Sequence, residues 1–188
     1  YVFHRNERNY YNFLLVEQDN GHFGKTIAKI FLYSTYQKIL YTHLSKSISD
    51  DIKAIALKSI KEVDYHFKHS RAWLLRLGGG TEESKVKIQD SIDELWRFTG
   101  EMFESDDVEK NLTSENIISA SNTYYDEWSK TVKVTLEEAL LTEPENVVML
   151  SGGKKGLHTE KLGFMLAEMQ YLPRTCLLYT SPSPRDRS

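Results

Sequence analysis

Cysteine is almost missing from this chain: Cys176 stands alone in 188 residues. A single thiol excludes an intramolecular disulfide framework and fits a reducing compartment. Proline (4) and glycine (10) are also sparse, so long helices are expected rather than many short turn-linked strands. No apolar run approaches the roughly 18 residues of a membrane span, and no signal peptide is visible. The reading is therefore a cytoplasmic protein with no membrane partner. Positive charge is not in excess: 24 Lys and Arg face 27 Asp and Glu, a net charge of −3. That balance argues against a duplex nucleic-acid partner, which normally requires a basic face. There is no Gly-x-Ser-x-Gly elbow, no Cys-x-x-Cys and no Walker loop, so Ser or Cys nucleophile chemistry and P-loop nucleotide binding have no motif behind them.

What is present is ordinary for a soluble globular protein: 40% hydrophobic and 27% charged residues, enough for one well-buried domain. The chain starts at Tyr1 rather than methionine, and a missing N-terminal coding stretch is the simplest expectation. At the other end TCLLYTSPSPRDRS shifts abruptly to Ser, Pro and Arg, a composition that supports no packed structure. Residues 176–188 are read as a non-native disordered tail, leaving 1–175 as one helical domain.

Hydrophobic periodicity sets out the helices. Asn20-Gly21 is a turn signal, and Phe23, Ile27, Ile30, Phe31, Ser34, Leu40 and Leu44 predict a helix over about 24–45. Ser49 or Asp50 is placed to cap the next one. Its face of Ile52, Ile55, Ala56, Ile60, Val63, Phe67, Trp73, Leu74 and Leu77 runs for about seven turns, to a left-handed cap at Gly78–Gly80. Thr81 caps a helix carrying Ile88, Ile92, Leu95, Trp96, Thr99, Met102 and Phe103, expected to stop near Ser105. A polar connector leads to a helix over about 119–141, with Tyr125, Trp128, Val132, Leu136 and Leu140 in register, and Pro144 prevents continuation. Residues 147–150 read as a short buried or extended piece. The Ser151–Gly156 loop reads as a connection, with Lys154 or Lys155 near a phosphate as the lesser alternative. A last helix opens at His158–Glu160, turns Leu162, Met165, Met169 and Leu172 inward, and ends at Pro173. No strand alternation or repeat appears. The class is all-α, an antiparallel helical bundle.

The longest helix carries the candidate site. Glu62 and His66 are four apart, and His66 and His69 three apart, so their side chains are neighbours on one edge of the apolar stripe. Such a cluster can hold a metal, form a hydrogen-bonded network or face a wet cleft. Left buried and unpaired, each group costs about 1–3 kcal/mol. A carboxylate-bridged di-iron bundle takes a Glu from each of two helices and a Glu-x-x-His pair from each of two others. This chain has no Glu-x-x-His. Glu62 has Tyr65 at that place, Asp19-x-x-His22 spans a turn, and the preceding helix offers Ser34 and Tyr36 where a ligand glutamate is sought. Glu62, His66 and His69 are thus read as a buried polar cluster, with metal ligation as the lesser alternative.

Three segments carry a likeness: LLVEQDNGHFGKTI, AIALKSIKEVDYHFKHSRAWLLRLGGGTEES and LHTEKLGFMLAEMQYLPR. Together they closely resemble the C-type subunit family of the bacterial phenylacetyl-CoA epoxidase, the ring 1,2-epoxidase of phenylacetate degradation, in order over nearly all of residues 7–174. Gly79 departs from the acidic residue expected in that loop. The resemblance implies a ferritin-like bundle, lacking its first helices here, within an oxygen- and NADPH-dependent monooxygenase complex. The resemblance also implies that the related catalytic (A-type) chain holds the di-iron centre and the CoA thioester. A flavin and iron–sulfur reductase delivers electrons, and a further small subunit bridges the pieces. A C-type chain is then a catalytically silent partner of the A-type one, with no catalytic residue and no cofactor of its own. The competing readings are a catalytic di-iron oxygenase or other ferritin-like metal protein, and a helical binding module outside this pathway.

Overall fold

The structure is a computed structural model and describes residues 2–175; the expected non-native tail, with Cys176, lies outside the described residues. In chain order the helices are α1 (Leu14–Glu17), α2 (Phe23–Leu44), α3 (Asp50–Gly78), α4 (Glu82–Trp96), α5 (Asp107–Ser114), α6 (Ser121–Glu138) and α7 (Glu160–Thr175). Short 3-10 turns lie at Val2–His4, Glu7–Asn9, Gly100–Phe103 and Gly153–Lys155. There is no strand among the described residues, so the fold is all-α, consistent with the expected ferritin-like bundle. No helix among them is long and apolar enough to cross a membrane. The chain forms two compact units, Asn20–Ser151 and a second made of the segments on either side of it.

The larger unit is built on α2 and α3. Gly21 takes φ +51 in the Asn-Gly turn, and the His22 ring caps α2 by accepting from the Lys25 amide. α3 returns antiparallel, so Phe23 meets Trp73, Phe31 stacks on Phe67 and Lys38 pairs with Asp64 in turn; Ser34 also meets Ser70. α6 also runs antiparallel to α2: Trp128 donates through Nε1 to the Leu32 carbonyl at 3.0 Å, and Tyr36 meets Tyr124 edge-on. Phe31, Leu32, Leu74, Ile88, Ile92, Leu95, Trp128 and Leu136 are essentially fully buried. Each such side chain contributes about 1.5–3 kcal/mol of hydrophobic stabilisation.

Several local expectations change. α4 stops at Trp96, because Thr99 bonds back to the Trp96 carbonyl and Gly100 begins a 3-10 turn; Thr99 and Met102 stay buried in that turn. The supposed polar connector holds α5, started by a capping box in which Asp106 accepts from the Glu109 amide and Glu109 accepts from the Asp106 amide. On α6 it is Tyr124, not Tyr125, that turns inward. Val148, Met149 and Leu150 are exposed rather than buried. The glycines ending α3 form no left-handed cap, since Gly79 has φ −87. They permit close approach instead: a Cβ on Gly78 would lie 2.1 Å from the Ala139 carbonyl oxygen.

In the smaller unit α7 buries Leu162, Leu166 and Gln170, leaving Met165 and Leu172 outside, and continues past Pro173. The Gly-rich loop is a packing element here. Gly152 and Gly156 have positive φ, and a Cβ on Gly153 would lie 2.1 Å from the Asn12 carbonyl oxygen. The Lys154 ammonium sits over the Phe13 ring at 5.9 Å.

Candidate functional site

α3 turns the line Ala56, Val63, Ser70, Leu74, Gly78 inward. That line sets the fate of the predicted cluster, because Glu62, His66 and His69 fall outside it. All three are exposed. The Glu62 and His66 side chains are 80% and 48% accessible, and the closest approach of His66 Nε2 to Glu62 Oε1 is 3.7 Å, too long for a hydrogen bond. The expectation of a buried polar cluster is therefore corrected: these residues form a solvent-facing group. The physical reason is register, since the apolar stripe is narrower than its periodicity suggested and Ile55, on the same flank, is 62% exposed. Rings rather than ligand atoms organise the group, with Tyr65 stacked on His69 (5.9 Å, 21°) and edge-on to His66 (5.9 Å).

The buried polar groups of the larger unit are mostly hydroxyls. Ser34, Thr35, Ser70, Ser91, Thr99, Ser121 and Thr135 are buried. Most return a hydrogen bond to a carbonyl of their own helix: Thr35 to Phe31, Ser70 to His66, Ser91 to Lys87 and Thr135 to Thr131. Back-bonding of this kind satisfies the hydroxyl without a ligand. Glu101, on a 3-10 turn, is the one buried carboxylate among the described residues of this unit. Four carboxylates and two imidazoles from four helices are what a bridged di-iron centre requires, and the donor set present does not fit it. No group of three or more His, Cys, Asp or Glu among the described residues is disposed to hold a metal ion. His43 is engaged otherwise, bonding Ser119 Oγ through Nδ1 (3.2 Å) and Glu127 through Nε2 (2.9 Å), which ties the end of α2 to the start of α6.

Burial also shifts the tyrosines lining this interior. Desolvation, with smaller contributions from Glu109, Tyr124 and Tyr33, holds the Tyr36 phenol well above its ordinary range. Tyr33 and Tyr124 shift upward for the same leading reason. These phenols stay neutral donors at any physiological pH.

A further fully buried charged group lies in the smaller unit and was not foreseen. Glu17 and His158 have side chains 0% and 2% accessible, with Glu17 Oε1 at 2.5 Å from His158 Nδ1. Asn12 Nδ2 donates to the same oxygen at 2.9 Å. The Thr159 amide and hydroxyl both donate to Oε2, each at 2.9 Å. His158 Nε2 faces the Tyr10 carbonyl oxygen at 3.0 Å. Both ring nitrogens meet acceptors, and three neutral donors converge on the carboxylate, so the cluster is fully satisfied as an imidazolium–carboxylate pair. Sequence offers no signal for it, because its members are 141 positions apart. It ties α1 and the segment before it to the start of α7.

The architecture thus defines an all-helical bundle protein with an apolar core, in which the buried polar groups of the larger unit are mostly hydroxyls and no buried side-chain polar atom among the described residues lacks a partner. Residues 1–177 match the phenylacetic acid catabolic protein family, and the chain belongs to that family. It is 46% identical over 173 residues to the C-type subunit of 1,2-phenylacetyl-CoA epoxidase from Escherichia coli (strain K12), a similarity that covers 92% of this chain and 70% of that protein.

Proposed function

We propose that this chain is a non-catalytic structural subunit of a multicomponent phenylacetyl-CoA 1,2-epoxidase, acting in aerobic phenylacetate catabolism in the cytoplasm. Its partner is the related di-iron catalytic chain, which holds the CoA thioester, while the remaining subunits and the reductase act on it indirectly. The chain itself carries no cofactor. The observation that carries the reading is the pairing of 46% identity to an epoxidase C-type subunit with a bundle whose buried polar groups are mostly serine and threonine hydroxyls rather than carboxylates and imidazoles. A bundle keeps its shape without metal ligands because the packing of apolar stripes supplies most of its helical stability. Such a scaffold can support a catalytic relative without taking part in oxygen chemistry.

Co-expression with the catalytic chain tests this. A stable complex should form, with iron only in the partner, and phenylacetyl-CoA-dependent oxygen uptake should require the partner's ligands. Iron bound by the isolated chain, with turnover in the absence of any partner, would refute it.

A further inference from the structure

Six aromatic rings of the larger unit, drawn from α2, α4, α6 and the 3-10 turn Gly100–Phe103, form one unbroken run. The ring centroids of Trp96 and Trp128 are 5.5 Å apart. Trp128 lies 5.3 Å from Phe103 and stacks on Tyr125 at 6.5 Å and 29°. Phe103 meets Tyr125 at 5.2 Å and Tyr36 at 5.7 Å, and Tyr36 meets Tyr124 at 6.5 Å. Each contact taken singly is ordinary aromatic packing. Together they link two buried indoles, Trp96 at 6% and Trp128 at 2% exposure, to one ring that is 49% exposed, Tyr125. The third tryptophan lies outside the run, since Trp73 meets Phe23 and the Arg76 guanidinium.

Indole and phenol are among the side chains that most readily give up a single electron, and electrons tunnel rapidly between rings in van der Waals contact. The destination of the proton decides which ring ends oxidised. The Trp128 Nε1–H has only the Leu32 carbonyl oxygen, at 3.0 Å, an acceptor too weak as a base to keep the proton of an oxidised indole. An oxidised phenol must release its proton. Tyr124 donates to the Ser119 carbonyl oxygen at 2.9 Å, and the neighbouring His43 is already bonded to Ser119 and Glu127. Burial holds the Tyr36 phenol in its protonated form. Tyr125, by contrast, is open to water, which accepts the proton.

We infer that this run is an internal electron-transfer path, in which Tyr125 refills an electron vacancy created at Trp96 or Trp128. An oxygen-centred radical takes one electron from an indole and is itself reduced. The indole regains that electron from Tyr125, whose phenolic proton passes to water, leaving a tyrosyl radical near the surface. Only the O–H bond breaks, and a reductant of the thiol or ascorbate class restores it by returning a hydrogen atom. Oxidising equivalents thus leave the core before an indole is modified in place. The path concerns this chain alone and holds whichever partner it binds.

The test uses the full chain carrying Trp73→Phe, oxidised by an intense ultraviolet pulse at a wavelength that indole alone absorbs. Nitrous oxide and tert-butanol remove the ejected electron and the radical it yields. Transient absorption should show the indolyl radical decaying as a tyrosyl radical rises, at a rate independent of protein concentration. Tyr125→Phe, which deletes one hydroxyl from a half-exposed ring, should abolish that rise and leave a long-lived indolyl radical. Tyr65→Phe, at a position 64% exposed on α3, should leave both traces unchanged. Circular dichroism checks that each variant folds. A tyrosyl rise that survives Tyr125→Phe, is lost equally in Tyr65→Phe, depends on protein concentration or never appears would overturn the path.

Discussion

Replacing Glu17 with Gln keeps the side-chain volume and removes one charge from a fully buried ionic pair. With Glu17 and His158 at 0% and 2% accessibility, solvent screening is negligible. A glutamine amide must place its NH2 either toward the two Thr159 donors or toward Asn12 and His158. Whichever way it turns, donor faces donor, and two buried donors lose their acceptor at about 1–3 kcal/mol each. The imidazolium of His158 is also left without its counter-charge, and breaking a buried pair from one side typically costs about 3–5 kcal/mol. These contributions overlap, so the expected destabilisation is about 3–5 kcal/mol, localised to the smaller unit. Hydrogen exchange read by mass spectrometry resolves it: amides of residues 10–17 and 157–170 should exchange faster by about 100-fold or more, because each tenfold corresponds to about 1.4 kcal/mol. His158→Gln should produce a loss of similar size. The double variant should show a coupling of about 2 kcal/mol or more, since the two side chains act as one unit. A Glu17→Gln protein whose exchange in these segments corresponds to less than about 0.5 kcal/mol of change would refute the reasoning, as would strict additivity with His158→Gln.

Other expectations follow from the same geometry. Gly78→Ala drives a Cβ to 2.1 Å from the Ala139 carbonyl oxygen, and overpacking against backbone should cost about 1–3 kcal/mol or more in denaturant unfolding. Gly79→Ala, with ordinary φ and its Cβ contact at 3.2 Å, should stay within about 0.5 kcal/mol of the unaltered chain. Tyr33, Tyr36 and Tyr124 should lag the other tyrosines in an alkaline absorbance titration. Because their folded values lie above the unfolded value of 10.0, the folded state holds more protons. Stability should therefore be intact below about pH 10 and decline as pH rises beyond it toward the folded values, read as a falling Tm. His66→Ala and His69→Ala, on an exposed face, should each change stability by less than about 0.5 kcal/mol and leave Tm insensitive to a chelator; a chelator-dependent melt abolished by either change would restore metal ligation there.

Much of this was legible in one dimension. The run from Ile52 to Leu77 and the Thr81 cap placed α3 and the start of α4 almost to the residue, because a 3.6-residue period is a property of the chain itself. Even α5 had a visible signature in Asp106-x-x-Glu109, and only its short length hid it within a polar stretch. Edges of stripes were less legible. Glu62, His66 and His69 sit beside the apolar face in projection, yet the width of that face depends on what packs against it, so their exposure was not readable from spacing. The same limit misassigned the inward row of α7, where Leu166 and Gln170 took the places expected for Met165 and Leu172.

Periodicity and capping residues by themselves determined that this protein is helical, and the lack of Glu-x-x-His spacing argued against a di-iron ligand set on its helices. Only the tertiary structure decided which polar groups are buried. Burial is a relation between segments, and no local pattern encodes that Glu17 meets His158 or that Gly78 meets Ala139. Those pairings arise when the chain closes, and the free energy that selects them is desolvation, which exists only once the partners are in place.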